Sequence, residues 1–236
     1  MSGTLYLLPN LLGVCDPADV LPARTLSIAR RLSHFIVETP KVARAFLKTV
    51  SPQRVIADIA IVPCDPAKAA IDECAAWLKA GIDVGVVSDA GCPGMADPGA
   101  AFAAIAHHIG AKVVPLVGPS SVLLGLMASG MNGQLFTFHG YLPSKASERD
   151  NALKVIDRSV KTTRGTHIFI ETPYRNAPMI DAICSTVSGD TDLCVAQALS
   201  SAQETIVCKQ ISGWSDAERL RLSQREPTLF LLGARQ

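Results

Sequence analysis

The chain has 236 residues, 48% of them hydrophobic and 18% charged, with a formal net charge of +1. That composition supplies a core for one large α/β domain or two small ones, and it excludes a disordered, strongly solvated chain. A charge this near zero sets up no whole-molecule field that would gather nucleic acid, so an RNA partner would have to be held by local cations.

Seven cysteines, at 15, 64, 74, 92, 184, 194 and 208, form no C-x-x-C pair and have no histidine at zinc spacing. They read as reduced, mostly buried thiols in a reducing compartment; no metal is expected, and the expected location is cytoplasmic. The first residues lack a basic n-region, and a strand accounts for their apolar run. Residues 113–144 contain no Asp, Glu, Lys or Arg, yet Pro115, Gly118, Pro119, Gly125, Gly130 and Gly133 punctuate them. No membrane helix of ~20 apolar residues survives that punctuation, so the stretch reads as buried protein.

Short apolar runs ending in Gly or Pro alternate with Ala- and Leu-rich helical segments, the rhythm of an α/β fold with a largely parallel sheet. The spacing predicts a strand at 4–8, stopped by Pro9, and a helix at 20–31 with Leu21, Leu26, Ile28 and Leu32 apolar. Strands at 34–37 and 56–62 flank a helix at 42–50. A helix at 67–80 closed by Gly81, a strand at 84–88 and a helix at 99–109 closed by Gly110 follow. The first half ends with a strand at 113–116 and a helix at 121–129. Strands at 135–139, 166–171, 192–197, 205–210 and 228–232 then dominate, with helices at 147–159, 178–187 and 216–222. This second half is richer in strands able to pair antiparallel. The expected division is 1–133, an α/β domain with a largely parallel sheet, and 134–236, an α/β domain with a mixed sheet. The two should share a cleft, a preferred place for a ligand.

The strongest motif is Ser88-Asp89-Ala90-Gly91-Cys92-Pro93-Gly94-Met95-Ala96-Asp97-Pro98-Gly99, placed directly after the fourth strand. Its glycines and prolines make a tight loop whose backbone can approach a ligand closely, at the strand end where open α/β sheets bind ligands. Asp97 before Pro98 reads as a helix N-cap, whereas Asp89 has no such structural reason and reads as a ligand-binding or catalytic carboxylate. A second turn, Gly118-Pro119-Ser120-Ser121, offers serines that either cap the next helix or hold a polar group at its free N–H groups. Neither loop is a dinucleotide or nucleoside-triphosphate fingerprint. Arg175 either grips an acceptor phosphate or carboxylate or forms a surface salt bridge. Trp214, after Gly213 in a turn, is either core or a partner contact. His139 and His167 read as hydrogen-bonded strand residues.

The D-A-G-x-P-x-x-x-D-P-G loop resembles the signature of the tetrapyrrole methylase superfamily in its ribosomal RNA small-subunit methyltransferase I branch. Gly3-Thr4-Leu5-Tyr6-Leu7, Gly118-Pro119-Ser120-Ser121 with Ala128-Ser129-Gly130, Gly140-Tyr141-Leu142-Pro143 and Phe169-Ile170-Glu171-Thr172-Pro173-Tyr174-Arg175 resemble further family segments in the same order. The resemblance implies two α/β domains of the tetrapyrrole methylase fold, S-adenosylmethionine in the cleft between them, and a homodimer. It implies cofactor contacts at Pro9, Ala90, Gly91, Cys92, Met95, Ser120, Ser121, Ala198 and Thr228. Asp89 and Glu171 are the candidate catalytic carboxylates, and Glu38 and Arg175 the candidate acceptor-binding residues.

Departures fall on the acceptor side. The family's E-D-T-R becomes Glu38-Thr39-Pro40-Lys41, and its A-R-E-L-T-K becomes Ala196-Gln197-Ala198-Leu199-Ser200-Ser201. The basic stretch after Pro143 is thinned as well. RNA binding rests on Lys and Arg neutralising phosphates. Three readings follow: methylation of RNA at a ribose 2′-hydroxyl, methylation of a tetrapyrrole or another small metabolite, and a non-catalytic cofactor-binding module.

Overall fold

The computed structural model describes residues 2–65, 67–222 and 225–234. It divides into two compact units, Met1–Ser120 and Ser121–Gln236. In chain order the first unit contains β1 (Thr4–Leu7), α1 (Pro17–Val20), α2 (Ala23–Arg31), β2 (His34–Val37), α3 (Pro40–Val50), β3 (Ala60–Pro63), α4 (Ala67–Lys79), β4 (Val84–Val87), α5 (Ala100–His108) and β5 (Lys112–Pro115).

These strands form a parallel sheet in the order β3-β2-β4-β1-β5. Successive strand residues point to opposite faces, so Phe35 and Val37 pack with α2 and α3, while Ile36 packs with α4 and α5. Helices therefore cover both faces, which is why β4 is buried along its whole length. The connection from β1 runs over one face through α2, and that from β4 over the other through α5. Since β1 and β4 are neighbours, their carboxyl ends form a topological switch point, where open α/β sheets take ligands.

Two predicted elements are broken by local chemistry. The helix expected at 20–31 is two pieces, because Pro22 has no N–H and holds Leu21 extended at φ −110°, ψ 119°. The strand expected at 56–62 begins as a single 3-10 turn, Ile56–Asp58, before β3; aspartate is a poor strand residue.

The second unit contains α6 (Ser121–Ser129), β6 (Phe136–Tyr141), α7 (Ala146–Thr163), β7 (Thr166–Glu171), α8 (Asn176–Thr186), β8 (Asp192–Gln197), β9 (Thr205–Gln210), α9 (Asp216–Leu222) and β10 (Thr228–Gly233). Its sheet runs β6-β7-β10-β8-β9, with β6 parallel to β7 and the other pairs antiparallel. One face carries α7 and α8 over Phe169, Leu193, Val195, Phe230 and Leu232. On the alternate residues of β10, α6 comes so close that a Cβ at Gly125 would lie 2.3 Å from Leu229 Cδ2. Cys208 on β9 donates its thiol to Ser129 O at 3.0 Å. This packing makes α6 part of the second unit, so the division falls before the helix, whereas the sequence expectation put it after, at 133/134.

At the centre of the first sheet, a Cβ on Gly85 would sit 2.8 Å from two ring carbons of Phe35 and 3.1 Å from Leu32 Cδ1. Phe35 is fully buried and has nowhere to go. Gly85→Ala is expected to destabilise the chain by about 1–3 kcal/mol through overpacking. Urea unfolding measures this, and an unchanged midpoint would refute the close packing of β2 on β4.

Candidate active site

The loop 88–99 leaves β4 at the switch point with no regular partner for its backbone. Buried peptide groups need partners, and Asn10, just after β1 and only 4% exposed, provides them. Its side-chain Nδ2 donates to Ser88 O and Asp89 O, each at 3.0 Å, while its backbone N–H donates to Gly91 O at 2.9 Å. Its Oδ1 accepts from Leu11 N–H at 2.8 Å, which fixes the amide orientation. Gly91 turns the loop at φ +65°, in the left-handed region that side chains avoid. The turn after β5 closes from the other side. A Cβ at Gly118 would lie 2.4 Å from Pro9 Cβ, and the Cys92 thiol donates to Pro119 O at 3.5 Å. Burial raises the Cys92 pKa, so the sulfur is held as a thiol donor.

Of the expected cofactor residues, the structure therefore brings Pro9, Gly91 and Cys92 together beside the turn that ends in Ser120. Ala90 is exposed on the same loop, and Met95 is 44% exposed. Ser120 ends the turn after β5, and Ser121 opens α6.

Glu38 and Asp89 are neighbours. Glu38 Oε2 accepts the Asp89 backbone N–H at 2.9 Å. Asp89 Oδ1 accepts Thr39 N–H at 3.0 Å, and Asp89 Oδ2 accepts the Thr39 hydroxyl at 2.7 Å. Asp97 joins them instead of capping a helix. The N-cap of α5 is Gly99, because the loop runs two residues past Asp97 before the helix starts. The Asp97 carboxyl is pushed up to about 6, first by burial and then by the charges of Glu38 and Asp89. Sequence reasoning missed Asn10, Thr39 and Asp97 as site residues. The asparagine directly after the Pro9 strand stop was the available signal for the first.

The second unit gathers its candidates at one end of its sheet. Thr228 at the start of β10 lies opposite Glu171 on β7 and Gln197 on β8. Glu171 is 5% exposed, and its Oε1 accepts from Arg175 Nε at 2.9 Å, Arg175 Nη2 at 2.6 Å, Thr172 N–H at 2.7 Å and the Thr172 hydroxyl at 3.2 Å. The Arg175 cation thus binds an internal carboxylate, and the salt bridge is largely buried rather than on the surface. Thr228 Oγ1 accepts from Asn176 Nδ2 at 2.9 Å and Gln197 Nε2 at 2.8 Å and donates to Glu226 O at 2.8 Å. One donor and two lone pairs are then all used, which leaves only its backbone for a ligand. Ala198 is buried at φ +49° and donates its N–H to Pro227 O at 3.0 Å.

Other residues settle simply. Trp214 is 3% exposed, with its indole N–H on Lys209 O at 3.3 Å, so it is core and not a partner contact. His139 Nε2 and His167 Nδ1 pair at 2.8 Å. Among the described residues no group of three or more His, Cys, Asp or Glu could hold a metal ion. No helix among them is long and apolar enough to cross a membrane.

No family model matches the chain. The ribosomal RNA small subunit methyltransferase I of Micromonospora olivasterospora is 30% identical over 223 residues, covering 94% of this chain and 67% of that protein. This chain belongs to the ribosomal RNA small subunit methyltransferase I family. The Bacillus subtilis protein of that name is 29% identical over 235 residues, covering 93% of this chain and 72% of that one. Among solved structures, the methyltransferase CobJ matches with a TM-score of 0.63 at 17% identity, covering 99% of this chain and 95% of that one. A Thermus thermophilus uroporphyrin-III C-methyl transferase complexed with S-adenyl homocysteine matches with a TM-score of 0.58 at 15% identity, covering 98% and 97%. At such identities these structures show the fold alone, and that fold is the tetrapyrrole methylase fold expected from the motifs. Family membership likewise bears out the reading of the chain as an S-adenosylmethionine-dependent methyltransferase.

The raised Asp97 carboxyl makes a prediction about pH. Its folded value of about 6 lies above the ordinary 3.8, so within that window the folded chain binds more protons than the unfolded one. Stability from this group therefore falls as pH rises through the window. Asp97→Asn is expected to raise the thermal midpoint at about pH 7.5 and to leave it near wild type at about pH 4. A gain of equal size at both values contradicts the crowding of the three carboxylates.

Proposed function

We propose that this protein transfers a methyl group from S-adenosylmethionine to a ribose 2′-hydroxyl of ribosomal RNA. One observation carries the cofactor side of this reading: the turns after β1 and β5 close on the loop 88–99 that follows β4 at the switch point, a loop that holds two carboxylates, has a third, Glu38, beside it, and contains no Lys or Arg. When bound, S-adenosylmethionine supplies a methyl group activated on a cationic sulfonium. Pro9, Ala90, Gly91, Cys92, Met95 and Ser120 would hold it, with Gly91 allowing close backbone approach and Glu38, Asp89 and Asp97 giving the negative surroundings that a cation favours.

The acceptor hydroxyl has to be oriented and has to lose a proton. Asp89 keeps unused lone pairs beyond those taken by Thr39, so it serves as the orienting carboxylate. Asp97, which makes no hydrogen bond to a described residue and whose carboxyl is pushed up to about 6, is suited to accept the proton. Glu171 and Arg175 act on the turn after β7 as a buried ion pair, a positioning role rather than general-base or phosphate-gripping chemistry.

The names of the relatives support RNA as acceptor. So does the place of Gln197, which stands where the family has an arginine. It is 4% exposed and bonded to Leu222 O and Thr228, so a cation lost there removes no solvent-facing phosphate contact. The low net charge favours the second reading, a small-molecule acceptor. The proposal extends to a homodimer in the cytoplasm, for which Leu135, Phe136 and Tyr141, exposed at edge strand β6, offer apolar surface that a second copy would cover.

Incubation with methyl-labelled S-adenosylmethionine, small ribosomal subunits and a small-metabolite fraction tests this directly. Label is expected in ribosomal RNA, at a linkage made alkali-resistant by ribose methylation. Label confined to small molecules would replace RNA with the second reading. Cofactor binding with no transfer to either would leave only a binding module.

A further inference from the structure

Thr39 is the N-cap residue of α3, an eleven-residue helix, yet its side chain makes no cap hydrogen bond. A threonine in that place ordinarily accepts from the second or third N–H of its own helix, an interaction worth about 1 kcal/mol. Here the hydroxyl forgoes that bond and donates across fifty residues of chain to Asp89 Oδ2 at 2.7 Å. The Thr39 backbone N–H donates to the other oxygen, Oδ1, at 3.0 Å. The preceding residue completes the grip, since Glu38 Oε2 accepts the Asp89 backbone N–H at 2.9 Å. Asp89 thus has both carboxylate oxygens and its amide fixed by one dipeptide after β2. A local preference overridden in this way is where function is expected to have shaped a sequence.

We propose that Thr39 is a positioning residue for methyl transfer: it locks the Asp89 carboxylate in one orientation toward the acceptor. The inference rests on the proposed role of Asp89 and adds a residue through which that role is set. Without the hydroxyl, one oxygen keeps the backbone N–H and the other is released, so the carboxylate can rotate about its last torsion. Misplacement of an orienting group falls on the chemical step, because Asp89 would act on the cofactor through its charge alone, which Thr39→Val leaves in place.

Thr39→Val keeps the side-chain shape and the backbone donor while removing the hydroxyl; Thr39→Ser keeps the hydroxyl. Thr39→Val is expected to lower kcat roughly tenfold or more, with the dissociation constant for S-adenosylmethionine changed less than about twofold. Thr39→Ser is expected to restore kcat to within about threefold of wild type. The Asp89 side-chain carboxyl ¹³C resonance reads the clamp itself and needs no acceptor. It should move in Thr39→Val and stay in Thr39→Ser. An unmoved resonance in Thr39→Val overturns the clamp. A moved resonance with unchanged kcat, or equal losses in kcat and cofactor affinity, overturns the positioning role. If the wild-type chain methylates no RNA, the functional reading fails while the resonance still decides the clamp.

Discussion

The first unit is organised by the need to satisfy the backbone of one irregular loop. The run 88–99 lies at the carboxyl end of a strand buried on both faces, and its carbonyls at 88, 89 and 91 have no sheet or helix to receive them. Asn10 meets all three from the turn after β1, and Glu38 and Thr39 hold Asp89 from the turn after β2. A buried carbonyl left without a partner costs about 1–3 kcal/mol, so these few side chains decide whether the loop has one shape or many. Everything proposed for the cofactor depends on that single shape, because a glycine turn can cradle a ligand only if its backbone is already in place.

The same geometry gives neighbouring carboxylates different work. Asp89 is held by two donors from one residue, whereas Asp97 makes no hydrogen bond to a described residue and feels two negative neighbours. Under the proposed mechanism it is environment, and not residue type, that would separate the orienting group from the proton acceptor. In the second unit Glu171 binds Arg175 and Thr172, both in the turn after β7, through its Oε1. Gln197, Asn176 and Thr228 form a buried hydrogen-bonded network of neutral groups at the same sheet end.

Much of this was legible in the chain. Strand and helix periods are strong here, so 34–37, 121–129, 166–171, 192–197, 205–210 and 216–222 were placed at their observed bounds. Pro22 was present to be read as a break in the helix at 20–31, and its effect is local. The assignment of α6 was not legible, because it turns on Gly125 meeting Leu229 about a hundred residues away. For the same reason the motif showed that Asp89 mattered but not what holds it: its partners lie 50 and 79 residues away in sequence. Asp97 followed by Pro98 fitted a helix cap on local grounds, and only the loop's two extra residues before α5 took it elsewhere.

Hydrogen exchange of the chain with and without S-adenosylhomocysteine tests most directly whether these stapled turns are the cofactor surface. The account predicts new protection confined, within the first unit, to the backbone of 9–12, 88–99 and 117–120. Protection elsewhere in that unit with these segments unchanged, or no protection at saturating ligand, would contradict it.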